Sequence, residues 1–129
     1  MKRTIVKTKK AAQPMQNLFS QAVKANGLVF VAGCASRDPE TGKVIGKTIE
    51  EQIARTFANV EAILEAAGSS MAKVVRVVCY LQTREHFPAL NATFGRLFPS
   101  EPPARAVLIV PEFGLPGMMF EAIVTATEN

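Results

Sequence analysis

Along the chain the spacing of apolar positions changes several times, and each change marks an element. Residues 4–7 form a brief apolar-containing run that predicts a short edge strand, and residues 8–16, with Pro14, read as a loop. Phe19, Gln21 and Val23 alternate with Ser20, Ala22 and Lys24, the two-residue period of a strand with two unlike faces. Asn26-Gly27 follows, a pair that tolerates positive φ and favours a tight hairpin turn. Leu28-Val29-Phe30-Val31-Ala32 then returns as a strand ending at Gly33, and Asp38-Pro39-Glu40-Thr41-Gly42 reads as a surface turn. Beyond this the period lengthens. Thr48-x-x-Glu51 is a capping box, and Ile53, Phe57, Val60, Leu64 and Ala67 follow at spacings of 4, 3, 4 and 3, the stripe of an amphipathic helix closed by Gly68. Residues 73–82 are apolar almost without a break and predict a strand. Thr83 caps a second helix with Phe87, Leu90, Phe94 and Leu97 on one side, and Pro88 falls in its first turn, where proline is tolerated. A rigid linker over 99–103 precedes two last strands, at 105–110 and 118–127.

The resulting order, β-β-β-α-β-α-β-β, has no internal repeat. Two β-α-β crossovers in one small sheet share the same right hand, so both helices fall on one face. The expectation is a two-layer α/β sandwich with a six-stranded mixed sheet. Strands 28–32 and 73–81 are apolar at both parities, so both sheet faces should be buried. Two helices cover only one, and no segment remains for the other. The pattern therefore predicts a homo-oligomer of cyclic symmetry with sheets packed together and ligand sites at the subunit seams.

Composition narrows this picture. The 129 residues, 48% hydrophobic and 20% charged, suit one globular domain spanning 1–129. No apolar window of about 18 residues suggests a membrane span. The net charge of +4 is misleading, because residues 1–10 hold five of the fifteen Lys and Arg and no acid. The remainder carries ten basic against eleven acidic residues, a balance of −1. The basicity is a terminal segment and not a stripe on the fold, so nucleic-acid binding is not expected. Met1-Lys2-Arg3 resembles the start of a signal peptide, but Lys7, Lys9 and Lys10 interrupt any hydrophobic region. No acid precedes Asp38, a trait of mitochondrial presequences, yet residues 4–7 and 19–33 already read as strands. The cytoplasm is the expected compartment. Cys34 and Cys79 make no disulfide framework and read as packed, reduced thiols.

The chemistry centres on Arg105. It is the one charge in the apolar run after Pro102-Pro103, on a strand that reads as buried. A guanidinium cannot shed its charge, so burial calls for an anion from the protein or from a ligand. Other chemistry is sparse. His86, the single histidine, has no partner for a metal site or a nucleophile–base pair and suits a helix start. Gly114-Leu115-Pro116-Gly117 lacks the Lys and Ser/Thr of a phosphate loop and precedes a strand. No metal and no cofactor are expected, and any activity must be light chemistry, such as positioning water on a reactive substrate.

Pro103-Ala104-Arg105-Ala106-Val107, the proline-glycine loop after it and Phe120-Glu121-Ala122-Ile123-Val124 together resemble the signature of the YjgF/YER/UK family, the reactive intermediate deaminase (RidA) family. Phe19-Ser20-Gln21-Ala22, Val31-Ala32-Gly33, Asp38-Pro39-x-Thr41-Gly42, Asn59-Val60-x-Ala62-Ile63-Leu64-x-Ala66-Ala67-Gly68 and Asn91-Ala92-Thr93-Phe94 extend the likeness over the whole length. The resemblance implies a chorismate-mutase-like fold and a homotrimer with sheets inward and three clefts between subunits. It implies hydrolysis of 2-imino or 2-enamino acids to 2-oxo acids and ammonia. Arg105 then holds the substrate carboxylate by a two-point contact, the Gly33 N–H binds the same group, Asn91 lines the cleft, and the Val107 carbonyl helps hold water. Three positions depart. Phe19 stands where a tyrosine is usual, Ala32 where a serine is, and Met119 where the water-orienting glutamate is. Glu121 remains on that strand, on the same face as Met119 and about 7 Å away along it; it is either a partial substitute or a structural group near the seam. Three alternatives stay open: a trimer that binds small carboxylates without turnover, an enzyme of a dedicated pathway acting on a larger apolar acid, and, least favoured, a ribonuclease.

Overall fold

Asn26 and Gly27 make the turn their chemistry favours, with φ of 52° and 79° in the computed structural model, which describes residues 2–129. Met1, the first residue of the basic segment, lies outside the described residues. The turn joins β2 (Ala22–Ala25) to β3 (Leu28–Val31), with Ala25 opposite Leu28, and β1 (Arg3–Val6) pairs antiparallel with β2. The strand expected from Phe19 begins only at Ala22. Gln21 is buried, and its amide ties down the preceding loop, accepting from the Thr8 N–H (2.8 Å) and donating to the Ala12 carbonyl (2.9 Å).

The first helix, α1 (Ile49–Ala66), starts where the capping box places it. Thr48 Oγ1 accepts from the Glu51 N–H at 3.1 Å. The Glu51 carboxylate reaches back to the Lys47 N–H, also at 3.1 Å, one residue beyond the usual reciprocal bond. Gly68, at φ 82°, ends the helix in the left-handed region that glycine enters freely. Ile53, Phe57, Val60 and Leu64 are buried, as the stripe requires. The second helix, α2 (Phe87–Leu97), is entered through a one-turn 3-10 segment, Arg84–His86. Thr83 caps that turn (Glu85 N–H to Thr83 Oγ1, 3.3 Å) and not α2 itself.

The remaining strands are β5 (Val74–Leu81), β6 (Ala104–Ile109) and β7 (Phe120–Thr127), the last two within two residues of their expected ends. A two-residue strand, β4 (Cys34–Ala35), was not foreseen; it pairs with β7 at Ala122 and Glu121. The sheet runs β1-β2-β3-β7-β5-β6. Only β5 and β6 pair in parallel, and the last strand of the chain is inserted at the centre.

Burial along β7 alternates: Phe120, Ala122, Val124 and Ala126 are buried, whereas 121, 123, 125 and 127 are partly exposed. The buried set faces both helices and forms the core with Val77, Cys79 and Leu81 of β5. Phe57 of α1 lies 5.9 Å, centroid to centroid, from Phe120. The opposite face has no cover. Phe30 is 47% exposed there and Leu108 45%, although the sequence pattern marks both as interior residues. Among the described residues no helix is long and apolar enough to cross a membrane.

Candidate functional site

Strand β6 leaves the Pro102-Pro103 linker and joins the sheet through β5 alone, so its far edge carries no strand. This corrects the reading of Arg105 as buried: β6 is an edge strand and Arg105 is exposed. Register decides where its side chain goes. Arg105, Val107 and Ile109 stand opposite Val77, Cys79 and Leu81, whose side chains face the helices. Arg105 therefore turns toward α2. Its Nη1 donates to Asn91 Oδ1 at 2.9 Å, and Cζ lies 4.9 Å above the centroid of the Phe94 ring.

Asn91 and Phe94 are three apart on α2 and so share one face of it. A ring beneath an exposed guanidinium contributes about 0.5–1 kcal/mol. Both neighbours are neutral. The only ion pair among the described residues is Lys24–Glu128 (3.2 Å), so none of them supplies an anion to Arg105. The hydrogen bond to Asn91 engages one of the five guanidinium N–H donors. The Val110 N–H donates to the Leu81 carbonyl at 2.8 Å, which turns the even-numbered backbone groups of β6 toward β5. By alternation the Val107 carbonyl faces the open edge, beside Arg105.

The other predicted residues lie elsewhere. Gly33 sits where the sheet ladder is interrupted: β3 pairs with β7 as far as Thr125, and β4 resumes at Ala122. There the Glu121 carboxylate packs so closely over Gly33 that a Cβ would collide with Glu121 Oε2. A larger residue here would have to displace the end of the Glu121 side chain. Phe19, Ala32, Gly33 and Glu121 all line one cavity of about 190 Å³. Met119 does not. Its N–H is held by Gln52 Oε1 at 2.8 Å, and the neighbouring Met118 forms the wall instead.

Electrostatics separate the two groups further. Glu121 makes no hydrogen bond or ion pair among the described residues, and loss of water raises its pKa above the ordinary 4.5. Burial, with a smaller contribution from Glu121, pushes the Cys34 thiol up to about 12. Burial does the same to Cys79, although Arg105 opposes it. Neither is a thiolate nucleophile at neutral pH. His86 lies in the turn before α2 with Nδ1 buried and without a hydrogen-bond partner.

Arg105 and Glu121 lie on opposite faces of the sheet. β5 separates their strands, and the Arg105 row meets β7 at Val124, three residues from Glu121. That amounts to about 10 Å across and 10 Å along the sheet. Within one chain the structure thus brings together Arg105, Asn91 and Val107, and separately Phe19, Ala32, Gly33 and Glu121.

Gln52, Asn59 and Gln21 are organising residues that sequence reasoning passed over. Gln52 donates to the carbonyls of Gly46 (3.1 Å) and Gly117 (2.8 Å) while holding the Met119 N–H, and so fixes the loop before β7. Asn59 donates to the carbonyls of Ala35 (3.2 Å) and Arg37 (2.9 Å). A signal was present: both are polar residues immediately beside the apolar stripe of α1, where burial demands partners.

Comparison with known proteins gives a consistent result. The Endoribonuclease L-PSP family profile matches residues 8–128. A RutC family protein of Pyrococcus abyssi is 38% identical over 110 residues, 85% of this chain and 86% of that protein. A 2-iminobutanoate/2-iminopropanoate deaminase of Dermatophagoides farinae is 31% identical over 85% of each chain. The crystal structure of RidA from an Antarctic Psychrobacter superposes with a TM-score of 0.88 at 33% identity, covering 96% of this chain and 98% of that one.

Proposed function

The chain belongs to the YjgF/RidA family, described as Endoribonuclease L-PSP, and from that premise we propose that it hydrolyses 2-imino or 2-enamino acids to 2-oxo acids and ammonia in the cytoplasm. The observation that carries this reading is Arg105, a guanidinium oriented by Asn91 and Phe94 with no anion among the described residues. A substrate carboxylate supplies that anion by two parallel N–H···O bonds. The Val107 carbonyl, on the open edge, accepts from the attacking water. Water adds to the C=N carbon, a proton moves to nitrogen, and C–N cleavage releases ammonia and leaves the C=O. Such imines are intrinsically reactive, so orientation and modest proton transfer suffice.

The second half of the site, the Gly33 N–H and Glu121, comes from a neighbouring copy. Opposite sheet faces in one chain cannot meet around one small molecule, and the uncovered apolar face invites such packing. A homotrimer with three equivalent clefts satisfies both requirements. Glu121, with its raised pKa, is the nearest group able to exchange a proton there, since Met119 has none.

The test is ammonia release from 2-imino acids generated in situ by an amino-acid oxidase. Turnover in the wild type and its loss in Arg105→Ala support the proposal; equal rates in both overturn it. Met119 favours one second reading, a trimer that binds 2-oxo acids without turnover. Calorimetry then shows binding that depends on Arg105, with no ammonia formed. A ribonuclease is the least favoured reading: His86, the single histidine, lies in the turn before α2 and not among the residues lining the cavity at Glu121, and intact RNA after incubation is the expected outcome.

A further inference from the structure

We infer that the cavity beside Glu121 is the side-chain compartment of this site, and that it selects 2-imino acids with apolar side chains of about four to seven carbons. The inference rests on the deaminase reading above and adds a substrate class to it. Gly33 and Glu121, which would meet the substrate's carboxylate and nitrogen end, line the same cavity, so a side chain on the adjoining carbon has this space to enter.

The walls are apolar: Met15, Phe19, Ala32, Ile63, Leu115 and Met118. Phe19 and Ala32 offer no hydroxyl. Polar side chains also reach the cavity, and protein engages part of their hydrogen-bonding capacity. Gln21 is bonded to the Thr8 N–H and the Ala12 carbonyl. Asn59 donates to two carbonyls and accepts from Arg55 at 3.0 Å. Arg37 donates from Nε to the Gly42 carbonyl (2.9 Å) and from Nη1 to the Gln13 carbonyl (3.1 Å), and keeps its charge and its other N–H donors, with no ion pair among the described residues. Glu121 is the exception, the one lining carboxyl without a hydrogen-bond partner among the described residues. A ligand entering here therefore meets mostly apolar surface, the Glu121 carboxyl and the edge of the Arg37 guanidinium.

Size decides the class. An apolar protein cavity of about 150 Å³ accepts benzene. This one, at about 190 Å³, takes an isobutyl or benzyl group, whereas the methyl of 2-iminopropanoate leaves most of it unfilled. Each methylene placed in an apolar pocket favours binding by roughly fourfold or more. Three additional carbons should then raise kcat/KM by ~60-fold when fully buried, and by ~10-fold when about half of that contact is realised in the transition state.

The experiment compares ammonia release from the imines of leucine and alanine, generated in situ. Preference for the leucine-derived imine by ~10-fold or more supports the compartment, and collapse of that ratio below ~3 in Ala12→Leu, which fills the cavity away from Arg105, locates it. Equal kcat/KM for the two imines in the wild type overturns the compartment while leaving the deaminase reading intact. If neither imine is turned over, the deaminase reading fails, and calorimetry with 4-methyl-2-oxopentanoate against pyruvate decides the compartment alone: ~10-fold tighter binding of the branched acid supports it, and equal affinity overturns it.

Discussion

At the β6 edge, Arg105 is exposed, unmatched in charge and held by a neutral amide and a ring. At the cavity, Glu121 is half-buried, raised in pKa and pressed against the one glycine that leaves it room. The first arrangement contributes little to folding, because every partner of Arg105 is weak and solvent surrounds it. The second is a packing solution, in which one Cβ would displace a side chain. The contrast separates a side chain that folding hardly uses from one that packing holds in place.

The largest effect should come from Arg105→Ala. Two charge-assisted hydrogen bonds of about 1.5–3 kcal/mol each correspond to a loss of roughly 10³-fold in kcat/KM. Stability should stay within about 0.5 kcal/mol of wild type by urea denaturation, because the residue is exposed; a larger loss would mean that Arg105 belongs with the packed half. Leu108→Lys leaves Arg105 in place and puts a charge on the uncovered apolar face. Sedimentation should show dissociation to a smaller species, with activity falling as the protein is diluted. An unchanged assembly would place the interface elsewhere.

Gly33→Ala should displace the Glu121 carboxylate, the far end of a flexible side chain, and lower stability by no more than about 1 kcal/mol. Glu121→Ala in the same chain should recover much of that loss, a coupling that denaturation of the four variants measures. The smallest effect is a pH dependence. Desolvation raises the Glu121 pKa in the folded state, so the charged form opposes folding. Its favourable, neutral form is fully present below the ordinary 4.5 and is lost as pH rises through the raised folded value. Glu121→Gln should match wild-type stability in acid and exceed it slightly at neutral pH. A difference that grows toward acid would reverse the sign and place an unseen cation beside the carboxylate.

Local chemistry made much of the architecture legible. Asn26-Gly27, the Thr48–Glu51 cap and the stripe from Ile53 to Ala67 each specify their element within a few residues, and each formed as expected. The short strand β4 was not legible, because two residues carry no period; its pairing depends on β7, some 85 residues later in the chain. Phe19 was expected in a strand because it alternates. It lies in a loop because Gln21 bonds across to Thr8 and Ala12, a contact no local pattern encodes. Arg105 could be picked out as a lone charge in an apolar run, but its exposure depends on β6 occupying an edge.

The sequence by itself determined the order of elements, the placement of both helices on one face, the surplus of apolar surface and Arg105 as the lone charge in its run. Those follow from periodicity and composition, which act over a few residues at a time. Only the tertiary structure decided that Arg105 and Glu121 occupy opposite faces, that Met118 and not Met119 walls the cavity, and that the Glu121 carboxylate lies against Gly33. These outcomes depend on strand order and register, and the central insertion of β7 sets them by bringing distant segments into contact.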